Sequence, residues 1–442
     1  MATLTVNKNT SIKDRFVESF QQYQTQLNGH RDHPLAKFRQ AGFEEFQEMD
    51  FPTTRDEDWK YTSVQRMLRQ EFKSAKATDL QLADIEQFTY PNLNAIRLVF
   101  VNGIYNEALS SDRKALPGGL MIHLMEEALE NEEYRAWIED QIAYKGGTAK
   151  NIFLPMNRAF SQSGIFIKTV RGIAIEQPIH LLHVATDGDH IAYPQLFVWA
   201  SESSQLSIIE SYNSTTDQAY FNNSANHWQV EANAHVHYYR TQQEGGEAFK
   251  IHNTLVMQGR DSVFSSYVAD LGGKMVRNNM SVELTGSNTE TNMYGVYLGH
   301  EQQHIDNQTF MDHALPHCVS NELYKGILTD RARGVFNGKV LVRQDAQKTN
   351  AFQQNASMVL SDKAVMDAKP QLEIYADDVR CSHGATIGQM DEGSVFYLRS
   401  RGIPEAKAKN LLQRAFVGEA VEAMPLEVVQ ERVMAAIEEK LG

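Results

Sequence analysis

Between residues 164 and 374 the chain carries a dozen short runs rich in Val, Ile, Tyr and Phe, with no clear helical interlude. They cover residues 173–175, 179–184, 196–199, 206–209, 236–239, 254–257, 263–268, 280–284, 296–298, 323–328, 340–342 and 358–360. Turns of Gly, Asn, Asp and Ser separate many of them, as between strands. A doubly wound α/β fold needs a helix between successive parallel strands, and this stretch supplies none. A sandwich, a propeller or a β-helix remains. Asn321, Asn337 and Asn355 recur at nearly equal steps. A loosely kept period of that length suggests the rungs of a solenoid.

The flanks have a helical texture. Ile12, Phe16, Phe20, Tyr23 and Leu27 recur at spacings of three and four, with Ser11 as N-cap and Asp14 in an acidic first turn. His33-Pro34 breaks the pattern, and a second piece follows with Leu35, Phe38, Phe43 and Phe46. The polar loop 52–62 carries Trp59 and Tyr61, which are expected to pin it to the body. Residues 63–73 and 121–144 read as helix, and residues 96–103 as a strand and turn. At the other end Pro404 suits the first position of a helix. Ala408, Leu411, Leu412, Ala415 and Phe416 follow at helical spacing, and Pro425 opens a second helix with Leu426, Val429, Val433 and Ile437 on one face. The chain thus divides into a mostly helical region at 1–160, a β body at 161–402 and a helical module at 403–442. The terminal pair either caps the body or docks a partner.

Charge narrows the function. Lys and Arg number 42 against 56 Asp and Glu, a net −14 among 442 residues. Nucleic acid and anionic membranes call for a basic face, so neither is an expected partner. No stretch approaches the roughly 18 apolar residues of a membrane span, and no targeting pattern is legible. A cytoplasmic location is the expectation. Two cysteines, Cys318 and Cys381, cannot build a disulfide framework or a cysteine-only cluster site.

Three motifs carry possible chemistry. His300-Glu-Gln-Gln-His304 matches the zinc-peptidase pattern, which needs a helix to bring both imidazoles to one face. Strand and turn signals flank it, so the segment is expected to be non-helical and to hold no catalytic zinc. Cys318 reads as a buried rung residue. Cys381 and His383, followed by Gly384, lie between the turn signals at 377–378 and 391–393. A structural zinc takes four protein ligands, so this pair is short of a site unless a partner completes it. Glycine beside the histidine permits close approach of another backbone.

Several segments together resemble the SufB/SufD family of the SUF iron–sulfur cluster assembly system. They are residues 52–55 and 59–62, then 317–321, 334–338, 349–355, 372–378, 381–386 and 399–403, densest from His317 to Ile403. The resemblance implies a right-handed parallel β-helix core with an N-terminal helical region and a C-terminal helical module. It implies a non-catalytic scaffold that pairs with SufB and binds the SufC ATPase, supporting cluster assembly and iron acquisition. The SufC contact would fall on Ala408, Leu411, Leu412, Ala415 and Phe416, and deletion from Pro404 onward would abolish it while the β body stays folded. Within the family the chain is more similar to SufD-type members, since it reads His383-Gly-Ala385 and has few cysteines. There His383 is associated with cluster formation at the SufB interface, with Cys381 as the weaker candidate ligand. The resemblance implies no resident cofactor, only a transient iron–sulfur cluster at that interface; edge strands left free in the absence of SufB would let the chain pair with itself as a homodimer. Two other readings stand beside it. One is a β-helix polysaccharide lyase or hydrolase, which needs an acidic cluster on adjacent rungs. The other is the zinc peptidase.

Overall fold

The structure, a computed structural model, describes residues 12–26, 33–144, 146 and 151–442. Its centre is a parallel β-helix in which successive strands alternate between a 12-stranded and a 10-stranded sheet. In the larger sheet Phe221, Phe249, Met275, His304 and Arg333 stack in register, so a full turn of the coil runs from each of them to the next. The asparagine spacing is only half of such a turn. Asn321 lies in strand Val319–Leu328, Asn337 in Arg333–Val342 of the facing sheet, and Asn355 in Asn350–Val359 back on the sheet of Asn321. One corner of the coil is built the same way in turn after turn. Ser203, Asn233, Asp261, Asn288, His317 and Lys348 each take a positive φ there, between 56° and 64°. Asn and Asp tolerate that region because their short polar side chains bond locally.

Inward positions of the two sheets meet in one core. Part of it is apolar, with Trp228, Val230, Val236, Val256, Phe264, Val282 and Leu284 all buried. The rest is polar, and much of it is held by hydrogen bonds, as burial favours. Glu210 accepts from Tyr212, Tyr238 and Asn226 at 2.5–2.7 Å, and Arg240 grips Asp270 with two bonds of 3.0 and 3.1 Å. Two buried imidazoles contribute acid sensitivity. Burial, helped by Arg432 and Arg97, pushes His180 down to about 3, and burial pushes His313 down to about 4. The unfolded chain protonates both near pH 6.5, whereas the folded chain does not until far lower. Unfolding then takes up protons, and stability falls as pH drops from about 6.5 toward 4, on the order of 1.4 kcal/mol per pH unit for each residue. Urea midpoints at pH 7, 5.5 and 4.5 should fall accordingly, less steeply in His313→Gln; a flat profile would contradict the assignment.

The N-terminal helices Ile12–Gln26 and Pro34–Glu48 join helix Phe153–Phe160 over the outer face of the larger sheet. Phe20, Phe43, Phe46, Trp59 and Phe153 pack there with Phe221, Phe249 and Met275. Ser11 and Leu27 lie outside the described residues. Loop 52–62 is pinned, as its aromatic content suggests: Trp59 is buried and the Arg277 guanidinium lies 3.6 Å from its ring centre. The sheets begin within this region, with Ile96–Val101 paired to Ile179–Ala185 and Leu120–Leu124 paired to Gly164–Thr169. Helix over 121–144 is therefore found only from Met125, because Leu120 and Ile122 alternate into the core as strand residues. Of residues 63–73 only Gln65–Leu68 is helical.

Helices Glu405–Val421 and Glu427–Leu441 cover the outer face of the 10-stranded sheet. Val417, Val421, Val429, Val433 and Ile437 are buried against Ile209, Tyr239, Tyr267, Val296, Leu298 and Ile327. Burying five such side chains favours docking by roughly 10 kcal/mol before the entropy of ordering is deducted. Deleting residues from Pro404 onward would bare that face, so a body that stays folded without them is not what this packing supports. No helix among the described residues is long and apolar enough to cross a membrane.

Candidate functional site

The last strand of each sheet is Gln371–Ile374 or Arg380–Gly388, and each pairs on one side only. The coil thus ends, among the described residues, in open edges with unpaired backbone groups. Ile374, Tyr375 and Ile387 are 40%, 63% and 52% exposed at that end. Cys381, His383 and Ala385 are the register partners of Ala351, Gln353 and Asn355, whose side chains are buried. Paired residues of parallel strands share a face, so all three stand over the coil interior. Cys381 is half-buried against the core. His383 is exposed because no further turn covers it. A Cβ at Gly384 would meet nothing within 4 Å, which leaves room for another chain.

Burial pushes the Cys381 thiol up, against the backbone contact with Ala351. A raised thiol offers little thiolate, so of the pair the imidazole is the readier ligand. One turn behind His383, Gln353 donates to the buried carboxylate of Glu322 at 2.8 Å. Burial lifts the Glu322 carboxyl to about 7, with Thr309 and Gln353 holding it back. Sequence reasoning passes over Gln353 and Glu322, since strand register alone brings them under His383. The only local signal is the alternation of buried polar residues along the strand of Gln353 and Asn355.

The other motifs are structural. His300 through Gln303 form a turn closed by a Gln303 N–H to His300 carbonyl bond, with Glu301 at φ 53°. His304 begins strand His304–His313 and lies 2.8 Å from the Thr62 hydroxyl. The helix that zinc-peptidase chemistry needs is not there. Cys318 is buried in the core, as expected of a rung residue. Among the described residues no three of His, Cys, Asp and Glu cluster as a metal site. The buried carboxylates Glu210, Asp270 and Asp306 are bonded inside the protein rather than lined along an open groove, which gives the polysaccharide reading no support.

The terminal stripe divides on inspection. Ala408 is fully buried, and Leu412 and Phe416 are half-buried, with Phe416 against the sheet-facing cluster. Leu411, 39% exposed, and Ala415 open onto a groove between the two terminal helices, lined also by Gly418 and Met434. Arg414 and Glu438 bridge the groove at 2.5 Å.

The chain is similar to known proteins along nearly its whole length. The family model described as SUF system FeS cluster assembly, SufBD core domain, matches residues 183–416, and that of the SufBD protein N-terminal region matches residues 10–181. An iron–sulfur cluster assembly SufBD family protein of Synechocystis is 32% identical over 424 residues, covering 94% of this chain and 93% of its own. The iron–sulfur cluster assembly protein SufD of Escherichia coli is 32% identical over 397 residues, covering 88% of this chain and 89% of its own. The SufD protein of Bacillus subtilis is 27% identical over 289 residues, covering 65% and 66%.

Proposed function

This chain belongs to the SufBD family of the SUF iron–sulfur cluster assembly system and is SufD-like, and from that premise we propose that it is a cytoplasmic, non-catalytic scaffold subunit which pairs with SufB and binds the SufC ATPase. The observation that carries this is the uncovered end of the coil, where Cys381 and His383 stand over the interior on an edge strand paired on one side only. One imidazole and one thiol are too few for a cluster that takes about four protein ligands, so a second subunit must supply the others. An edge strand offers the means: a SufB strand laid against Arg380–Gly388 satisfies its free backbone groups and brings new ligands over His383. The cluster is cargo, held between subunits and released when they part. Motion driven by the ATPase would reach the interface through the terminal helices, whose open groove beside Leu411 and Ala415 is the docking surface in this reading. The same edges would pair two copies of this chain when SufB is absent.

Co-purification with SufB and SufC tests both surfaces at once. Because the Arg380 N–H bonds back to Thr349, alternation aims the backbone of Ala385 outward. Ala385→Pro removes that donor and should cost SufB while SufC is retained. Leu411→Asp should do the reverse, with about a tenfold or larger loss of SufC. If neither variant changes the composition of the complex, the two surfaces are misassigned.

A further inference from the structure

Three register partners lie in line on the inward face of the smaller sheet: Glu322, Gln353 and His383, each one turn farther toward the open end. Gln353 Nε2 donates to Glu322 Oε2 at 2.8 Å. With Nε2 as the donor in this bond, the amide turns its nitrogen toward Glu322. The other end, Gln353 Oε1, is an acceptor on a side chain 2% exposed, and it has no hydrogen-bond partner. An unmatched buried acceptor is costly, so a donor brought within its reach would be favoured. The facing sheet makes room for this amide. A Cβ at Gly338 would stand 2.4 Å from Gln353 Nε2, so glycine there keeps the slot open.

We propose that Gln353, anchored by Glu322, accepts a hydrogen bond from one ring nitrogen of His383 and thereby sets which nitrogen faces the open end of the coil. This rests on the reading of His383 as a cluster-site residue, and makes Gln353 and Glu322 its positioning residues. The polarity runs one way: ring N–H to Gln353 Oε1, then Gln353 N–H to Glu322 Oε2. A neutral imidazole that donates through one nitrogen presents the lone pair of the other, here outward toward the partner subunit. Iron arriving at the interface would meet a ligand already in the right tautomer.

The test uses the full chain labelled with nitrogen-15 in histidine, alone and then assembled with SufB and SufC. In the wild type His383 should show one tautomer in its ring nitrogen shifts. Gln353→Leu should give a mixture and slow cluster formation by about tenfold. Exchanging the pair, Glu322→Gln with Gln353→Glu, keeps one donor facing one acceptor and should restore both readouts. Should Gln353→Leu fail to fold, Glu322→Gln replaces it, with a weaker shift in the same direction. A folded variant of either kind with unchanged ring shifts overturns the proposal. The underlying reading fails separately, if His383→Ala builds clusters at the wild-type rate, because the ring shifts report the hydrogen bond whether or not a cluster forms.

Discussion

Assembled with SufB and SufC, His383→Ala is expected to build clusters at a tenth of the wild-type rate or less, while its fold and its SufC binding stay intact. His383 is exposed on the last strand of the coil, so its removal costs stability only on the order of 1 kcal/mol, that of one hydrogen bond. Its loss to the site is larger. With the thiol of Cys381 raised by burial, the imidazole is the readier of the two candidate ligands at the open edge. The measurement is the growth of cluster absorbance in the visible region, with thermal unfolding and SufC retention as controls. A variant that assembles normally and builds clusters at full rate would reduce His383 to an edge residue with no part in the chemistry.

Much of this architecture is legible in the residues, and the parts that are not share one cause. The run of short strands without helical interludes points to a repetitive β architecture because β-branched and aromatic content needs no tertiary information to read. The terminal helices show in their periodicity, and the non-helical setting of His300 and His304 in the strand signals beside them. What a single sequence does not supply is register. The near-equal asparagine steps look like whole rungs and are half turns, since each coil turn visits two sheets. Residues 121–124 sit inside a helical-looking stretch, yet they form a strand because Gly164–Thr169 lies beside them. Register also hides Gln353 and Glu322, which come one and two turns before His383 in the chain and lie directly beneath it in space. The stripe on the first terminal helix is plainly amphipathic, but periodicity does not say which neighbour covers a face. Ala408 turns inward, and Leu411 and Ala415 are left in the open groove.

Asp306→Ala should destabilise the protein by about 3–5 kcal/mol, the usual cost of leaving one member of a buried ion pair alone. Asp306 is fully buried and accepts from Arg277 at 2.6 Å, from Thr62 at 2.5 Å and from Gln308 at 2.6 Å. It therefore joins loop 52–62 to two adjacent turns of the coil. Arg277 also lies against Trp59, so an unpaired guanidinium would sit buried beneath an indole with its remaining bond to Asn279. Pulling that charge into water means lifting Trp59 and the loop off the sheet. The expected signature is a lower urea midpoint with unchanged m-value, together with new proteolytic cleavage within 52–62. Replacing both partners, Arg277→Met with Asp306→Leu, removes the charge instead of stranding it and should recover most of the loss, short of about 1 kcal/mol for the bond from Thr62. If the double variant is as unstable as Asp306→Ala, the damage comes from lost hydrogen bonds to Thr62 and Gln308 and the ion pair is incidental. Neither variant touches the open edge, so cluster formation by whatever fraction remains folded should proceed at the normal rate, which separates a loss of stability from a loss of function.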